Sequence, residues 1–150
     1  MDAPPTSADD FVEYRFVQVA DHLQRRFRAC LEPAGLSPRQ FSVLALLADQ
    51  PAITAADLAR GVLVTPQSMR VLLDHLEDRG LLERRGQRRR GLAAPATLTP
   101  AGRRALADAV ARVRALDAAT RAALGPVDHR ALRAILDRLA ALPVDAEPTA

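Results

Sequence analysis

Three times in this chain a hydroxyl residue is followed at once by proline: Ser37-Pro38, Thr65-Pro66 and Thr99-Pro100. At a helix start the hydroxyl accepts a hydrogen bond from a first-turn amide, and proline occupies the first helical position, where there is no intrahelical amide bond to lose. Each pair therefore marks a helix N-terminus to within a residue. Ser37 has Gln40 three positions on, the spacing of a reciprocal capping box, and Thr54 with Asp57 repeats the signal more weakly.

Between these caps the apolar residues recur at helical spacing. Phe16, Ala20, Leu23, Phe27 and Cys30 line one stripe of a long first helix that should end near Leu31, ahead of Pro33 and Gly35. Phe41, Leu44 and Leu47 mark a second helix, closed by Gln50-Pro51. A short third helix runs from Thr54 to about Arg60 with Leu58 inside. A fourth carries Met69, Leu72, Leu73 and Leu76 and stops at Gly80, a residue type common at helix ends. After Thr99 a fifth helix repeats Leu106, Val110 and Val113 on one face as far as Gly125-Pro126. Leu132, Ile135, Leu136 and Leu139 form the stripe of a sixth.

The segment between Gly80 and Thr99 follows another pattern. Leu81-Leu82 with Glu83-Arg84-Arg85 reads as a short strand, and Ala93 to Leu98 as a second, with Pro95 expected on an open edge. Between them lies RRGQRRRG, Arg84 to Gly91, with nothing apolar in it. A polar, glycine-flanked tip joining two short extended segments predicts a hairpin.

The fold class that follows is mostly α with a small β-hairpin wing: a winged helix-turn-helix core flanked by N- and C-terminal helices. At 150 residues, 49% of them hydrophobic, the chain is the size of one domain. Residues 36–103 make the winged lobe, about 10–34 and 104–142 the flanking dimerisation helices, and 1–8 and 143–150 flexible tails. Residues 36–98 can close a small core alone, so the apolar faces of the flanking helices are left for another chain, most simply in a twofold dimer.

Charge points to the partner. The formal net charge is only +3, yet every basic residue is arginine, so the positive surface is permanent. A genome that favours arginine codons accounts for the missing lysine, but not for the clustering. In a helix-turn-helix with a basic hairpin, one helix enters the major groove of double-stranded DNA and the wing reaches the backbone or minor groove. The single cysteine suits a reducing cytoplasm, and the acidic, proline-rich MDAPPTSADD lacks the order of a secretory signal. No apolar run is long enough for a membrane span.

The stretches LSPRQFSVLALLA (Leu36 to Ala48), ADLARGVLVTPQSMRVLLDHLEDRGLLERR (Ala56 to Arg85) and LTPAGRRAL (Leu98 to Leu106) together resemble the MarR-type regulators. The resemblance covers about residues 10–142. It implies an obligate homodimer whose terminal helices interlock, with one winged lobe on each side and the fourth helix as recognition helix. On that helix Gln67, Ser68, Arg70, Val71, Asp74 and His75 would face outward. Gln67 is suited to adenine, Arg70 to guanine and Val71 to a thymine methyl, while Thr65 and the first-turn amides suit a phosphate. The wing would bring Arg84, Arg85, Gln87, Arg88, Arg89 and Arg90 to DNA, with Arg88, Arg89 and Arg90 at a narrow minor groove.

Two departures stand out. Many family members place an acidic residue just before a wing arginine, where this chain has Arg90, Gly91 and Leu92. Leu63 stands where many helix-turn-helix units have glycine, implying a changed turn or a modest strain.

The family often binds small amphipathic aromatics or acids between the dimerisation helices and the winged lobe, which alters the spacing of the two recognition helices. Arg15, His22 and Phe41 are the candidates for such a cleft. Cys30 invites a redox reading, but its place on the apolar stripe near the end of the first helix favours a buried packing thiol. His22, His75 and His129 are scattered and make no metal-ligand spacing with one cysteine, and no cofactor motif is present. The expected function is a transcriptional regulator on a pseudo-palindromic operator, a repressor relieved by a small molecule and not an enzyme. An interaction module that has lost specific DNA reading, and more remotely a small enzyme reusing the dimer cleft, remain as alternatives.

Overall fold

Each hydroxyl-proline pair stands at a helix start in the computed structural model, which describes residues 7–84 and 96–143. The helices are α1 (Val12–Leu31), α2 (Pro38–Asp49), α3 (Ala55–Gly61), α4 (Pro66–Asp78), α5 (Pro100–Leu124) and α6 (Pro126–Ala140). Strands β1 (Leu82–Arg84) and β2 (Ala96–Leu98) lie between α4 and α5. Ser37 and Gln40 form the reciprocal capping box, and the Thr54 and Thr65 hydroxyls accept from the amides of Asp57 and Ser68. The described residues divide into two compact units, one ending at Val113 and the other beginning at Arg114, so the division falls within α5.

In the first unit Leu44, Leu58, Met69 and Leu76 are fully buried, one or two from each of α2, α3 and α4, with Leu31 from the end of α1 and Leu82 from β1. At about 1.5–3 kcal/mol for each fully buried aliphatic side chain, this cluster is the main force holding the helix-turn-helix together. Phe27 closes it from above, packed edge-to-face on Phe41 with ring centroids 5.8 Å apart. Cys30 is half-buried, not enclosed as its stripe position implied. Only the last turns of α1 reach this core. Farther back on the same stripe Phe16 is 37% and Leu23 44% exposed.

Helix α4 ends in paired reverse bonds: the Gly80 amide, at φ +67°, donates to Glu77 O and the Leu81 amide to Leu76 O. The chain then pairs antiparallel, Leu82 with Leu98, Glu83 with Thr97 and Arg84 with Ala96. The expected second strand began at Ala93; the described strand begins at Ala96, and Pro95 lies outside the described residues. Where the hairpin returns, Thr99 does more than cap α5. Its hydroxyl donates to Gly80 O at 2.6 Å and accepts from the Gly102 amide at 3.0 Å, while its own amide donates to Leu81 O. Gly102 is buried so closely that a Cβ there would stand 1.9 Å from Leu81 O.

A second tie joins β1 to α4. The Arg84 guanidinium bonds Glu77 Oε2 (Nε at 2.8 Å) and Asp74 Oδ1 (2.6 Å), and the Arg84 amide donates to Glu77 Oε1 at 3.2 Å. Hydrogen bonds from Arg84 hold the Glu77 carboxyl below its ordinary 4.5. Arg79, close to Glu77 in sequence, reaches Gln40 Oε1, the buried cap of α2, at 3.3 Å.

The second unit carries α6, whose Ile135, Leu136 and Leu139 are 45%, 43% and 37% exposed. His129 Nε2 meets Asp117 Oδ1 at 3.0 Å across the elbow at Gly125. No helix among the described residues is long and apolar enough to cross a membrane.

Two outcomes follow. Gly102→Ala should lower stability to urea unfolding by about 3 kcal/mol through overpacking against Leu81 O, although alanine in an open helix site gains about 1 kcal/mol. A neutral result would mean that α5 does not dock so closely. Because the folded Glu77 carboxyl binds its proton less readily than the unfolded chain does, its contribution is complete above pH 4.5 and disappears as pH falls through the lower folded value. Glu77→Gln should therefore cost stability at neutral pH and reduce the acid sensitivity below that point, read from urea midpoints over a pH series.

Candidate nucleic-acid interface

Helix α4 is two-sided. Met69, Leu73 and Leu76 are buried and Leu72 is partly so, while Gln67, Ser68, Arg70, Val71 and His75 are exposed. Gln67, Arg70, Asp74 and Glu77 fall on one outward stripe, since positions three and four apart share a helix face. No hydrogen bond or ion pair ties the side chain of Gln67 or Arg70 to another described residue. Val71 is 64% exposed, an apolar surface with no partner among them. At the start of the helix the Thr65 hydroxyl also donates to Ser68 Oγ at 2.9 Å, which turns Ser68 toward the cap.

The turn that sets the angle of α4 against α3 runs through Leu63. Its φ of +56° makes it the one non-glycine residue with positive φ among those described, and its side chain is 90% exposed. The left-handed turn is therefore kept without glycine, at a cost of roughly 1–2 kcal/mol. The Val64 amide donates to Ala59 O at 3.0 Å and the Leu63 amide to Arg60 O at 3.2 Å, which closes the end of α3 despite that cost.

Of the wing residues, Arg84 alone is described; Arg85, Gln87, Arg88, Arg89 and Arg90 lie outside the described residues. Arg84 has a different setting from the open one expected of a wing arginine. Its side chain is 20% exposed, and its guanidinium is engaged by Asp74 and Glu77. Long-range pairing of this kind, across seven and ten residues, carries no sequence period. Gly102 was missed in the same way, because its neighbour Leu81 is brought to it only by the hairpin.

Arg15, His22 and Phe41 do not gather around one cleft within the chain. Arg15 bonds Gln18 at 2.9 Å and pairs with Asp9 near the start of α1, His22 is exposed, and Phe41 packs on Phe27. Positions 15 and 27 are about 18 Å apart along a helix. A groove of about 550 Å³ opens elsewhere in the first unit, lined by Leu47 and Pro51, by Leu98 of β2, and by Arg103, Leu106 and Val110 of α5. Among the described residues Arg103 is its one charged lining residue, and it donates to Leu98 O at 2.9 Å. Among the described residues no group of three or more His, Cys, Asp or Glu side chains is arranged to hold a metal ion.

Comparison with known proteins agrees with this geometry. A family model described as MarR family matches residues 34–91. The HTH-type transcriptional repressor Rv2887 of Mycobacterium tuberculosis is 38% identical over 133 residues, which cover 88% of this chain and 96% of that protein. Its crystal structure in complex with DNA is similar at a TM-score of 0.68 and 36% identity, over 92% of this chain and 98% of that one. Its complex with salicylic acid gives 0.66 and 36%, over 92% and 97%. The transcriptional repressor CouR, bound to p-coumaroyl-CoA, is similar at 0.81 and 26%, over 93% of this chain and 99% of that one. With the fold, the two-faced fourth helix and a near full-length relative in agreement, this chain belongs to the MarR family of winged helix-turn-helix regulators.

Proposed function

We propose that the protein is a cytoplasmic, non-enzymatic repressor that binds a pseudo-palindromic operator as a homodimer and is released by a small amphipathic acid. The outward face of α4 carries this reading, because Gln67 and Arg70 are polar groups with no described intramolecular partner on a rigid helix whose other face is core. Arg70 reads guanine, Gln67 adenine and Val71 a thymine methyl, while Thr65 and the first turn take a phosphate. Arg85, Gln87, Arg88, Arg89 and Arg90 supply the wing's contacts to the backbone and minor groove. The relative Rv2887, crystallised with DNA, supports the choice of partner.

The dimer is inferred from surface left open. Phe11, Val12, Tyr14, Phe16 and Val17 on and before α1, and Ile135, Leu136, Leu139 and Leu142 on and after α6, are all more than a third exposed. Apolar surface on this scale is stable in water when a second copy covers it. A twofold pair then sets two recognition helices against half-sites about one turn of duplex apart.

The effector reading rests on the groove beside β2. Its apolar walls suit a flat ring, and Arg103 faces it with the charge a carboxylate needs. Relatives crystallised with salicylic acid and with p-coumaroyl-CoA support ligands of this kind.

Retardation of a duplex from the promoter beside its own gene should weaken steeply with salt and be relieved by an aromatic acid such as salicylate. Arg70→Ala should relax preference at particular base pairs by about 1–3 kcal/mol. Flat salt dependence, or a uniform loss over every sequence from Arg70→Ala, would favour an interaction module that does not read DNA. Light scattering should give twice the 16.2 kDa chain mass; a monomer at micromolar concentration would remove the dimer.

A further inference from the structure

The outward stripe of α4 begins with groups suited to DNA and ends with two that repel it. Asp74 stands one turn beyond Arg70, about 6 Å along the axis, and Glu77 one turn beyond Asp74. Their side chains are 47% and 37% exposed, so neither is hidden by packing. A carboxylate on a helix seated in the major groove lies within a Debye length of phosphates, where screening is incomplete. Two such charges on the reading face would oppose the contacts of Gln67 and Arg70.

One group meets both. Arg84, at the root of the wing, places its Nη2 on Asp74 Oδ1 at 2.6 Å and on Glu77 Oε2, with Nε also on Glu77 Oε2. The other Glu77 oxygen takes the Arg84 amide, so the carboxylate grips backbone and side chain together. Arg84 is 20% exposed, the least of the three, and its donors are turned toward the helix. Lysine, a single point charge, lacks the planar fork that serves two carboxylates at once.

The geometry points to Arg84 as a positioning residue, one that masks Asp74 and Glu77 on the reading face and ties the wing root to α4, and does not itself contact a phosphate. This rests on the DNA-reading assignment above and revises the part that one wing arginine plays in it. The wing's direct contacts then fall to the arginines beyond it.

The test compares wild type, Arg84→Gln and the double variant Arg84→Gln with Glu77→Gln, each as full-length protein, on a labelled duplex from the promoter beside its own gene over a salt series. The double variant removes one positive and one negative charge, so its net charge equals that of wild type. Arg84→Gln should weaken binding about tenfold or more by leaving both carboxylates facing phosphates. The double variant should recover to within about threefold, with the wild-type slope of log affinity against log salt. Equal loss in both variants, with a slope shallower by about one, is the signature of a lost phosphate contact and overturns the assignment. It is also overturned if melting temperatures change while DNA affinity does not, since the residue then serves the fold alone. Should Arg84→Gln fail to fold by circular dichroism, the neutral pair in the double variant still decides between recovery and a lost contact. Failure of wild type to bind the duplex at low salt removes the DNA-reading assignment and this one with it, whereas wild-type binding with unrecovered loss removes only the role of Arg84.

Discussion

Helix α5 can begin where it does only because residue 102 has no side chain. A Cβ at that position would overlap the carbonyl oxygen of Leu81, and around this contact Thr99 closes three further hydrogen bonds to Gly80, Leu81 and Gly102. Gly80 and Leu81 also take the last bonds of α4, and Leu81 leads directly into β1. One short turn therefore ends α4, starts β1 and seats the helix that continues into the second unit. The buried leucines supply the free energy, but they are non-directional. The direction in which β1 leaves α4 is set at this backbone junction.

The described arginines differ in the work they do. Arg25, Arg60, Arg112 and Arg121 pair with an aspartate three or four residues earlier on their own helices. These exposed pairs stabilise single helices by a few tenths of a kcal/mol and leave little free charge. Arg70 has no such partner among the described residues, and its guanidinium faces outward. A net charge of +3 thus understates how unevenly positive charge is displayed. Arg84 differs from both, since its carboxylate partners lie on another element and its exposure is low.

What the sequence made legible was whatever depends on neighbours in the chain. The capping hydroxyls and the stop at Gly80 are local: each follows from which φ a residue tolerates or which amide a side chain reaches within three positions, whereas at Leu63 the sequence left a changed turn and a strained one open, and the strained one is found. The two faces of α4 were legible for the same reason, because helical period alone separates Met69, Leu73 and Leu76 from Arg70 and Val71. The Gly102 contact, the Arg84 clamp and the Arg79 bond to Gln40 were not. Each joins residues brought together by the hairpin or by helix packing, across 21, 7 and 39 positions. The ligand candidates Arg15, His22 and Phe41 are apart within one chain for a reason of another kind. Arg15 and His22 share a helix with Phe27, yet chemical suitability cannot show that two of them stand turns away from the packed end where Phe41 sits.

The groove is linked to α4 through the β1–β2 pair closely enough to define how the proposed effector would act. Leu98 lines the groove, is held through its carbonyl by Arg103 and is paired across the sheet with Leu82. Two residues beyond Leu82, Arg84 grips Glu77 of α4. An acid that drew Arg103 away would free the Leu98 carbonyl at the base of β2, and a ring wedged against Leu98 and Leu106 would press on the same strand. Both act on β2, which pairs with the strand that the Arg84 clamp ties to α4, so a displacement of β2 would be passed through β1 to α4. In a dimer that must match two half-sites together, a small displacement of that helix in each copy is enough to lose simultaneous engagement. Release of DNA then requires no unfolding and no contact between effector and nucleic acid, only that the ligand bind the displaced arrangement better than the DNA-bound one.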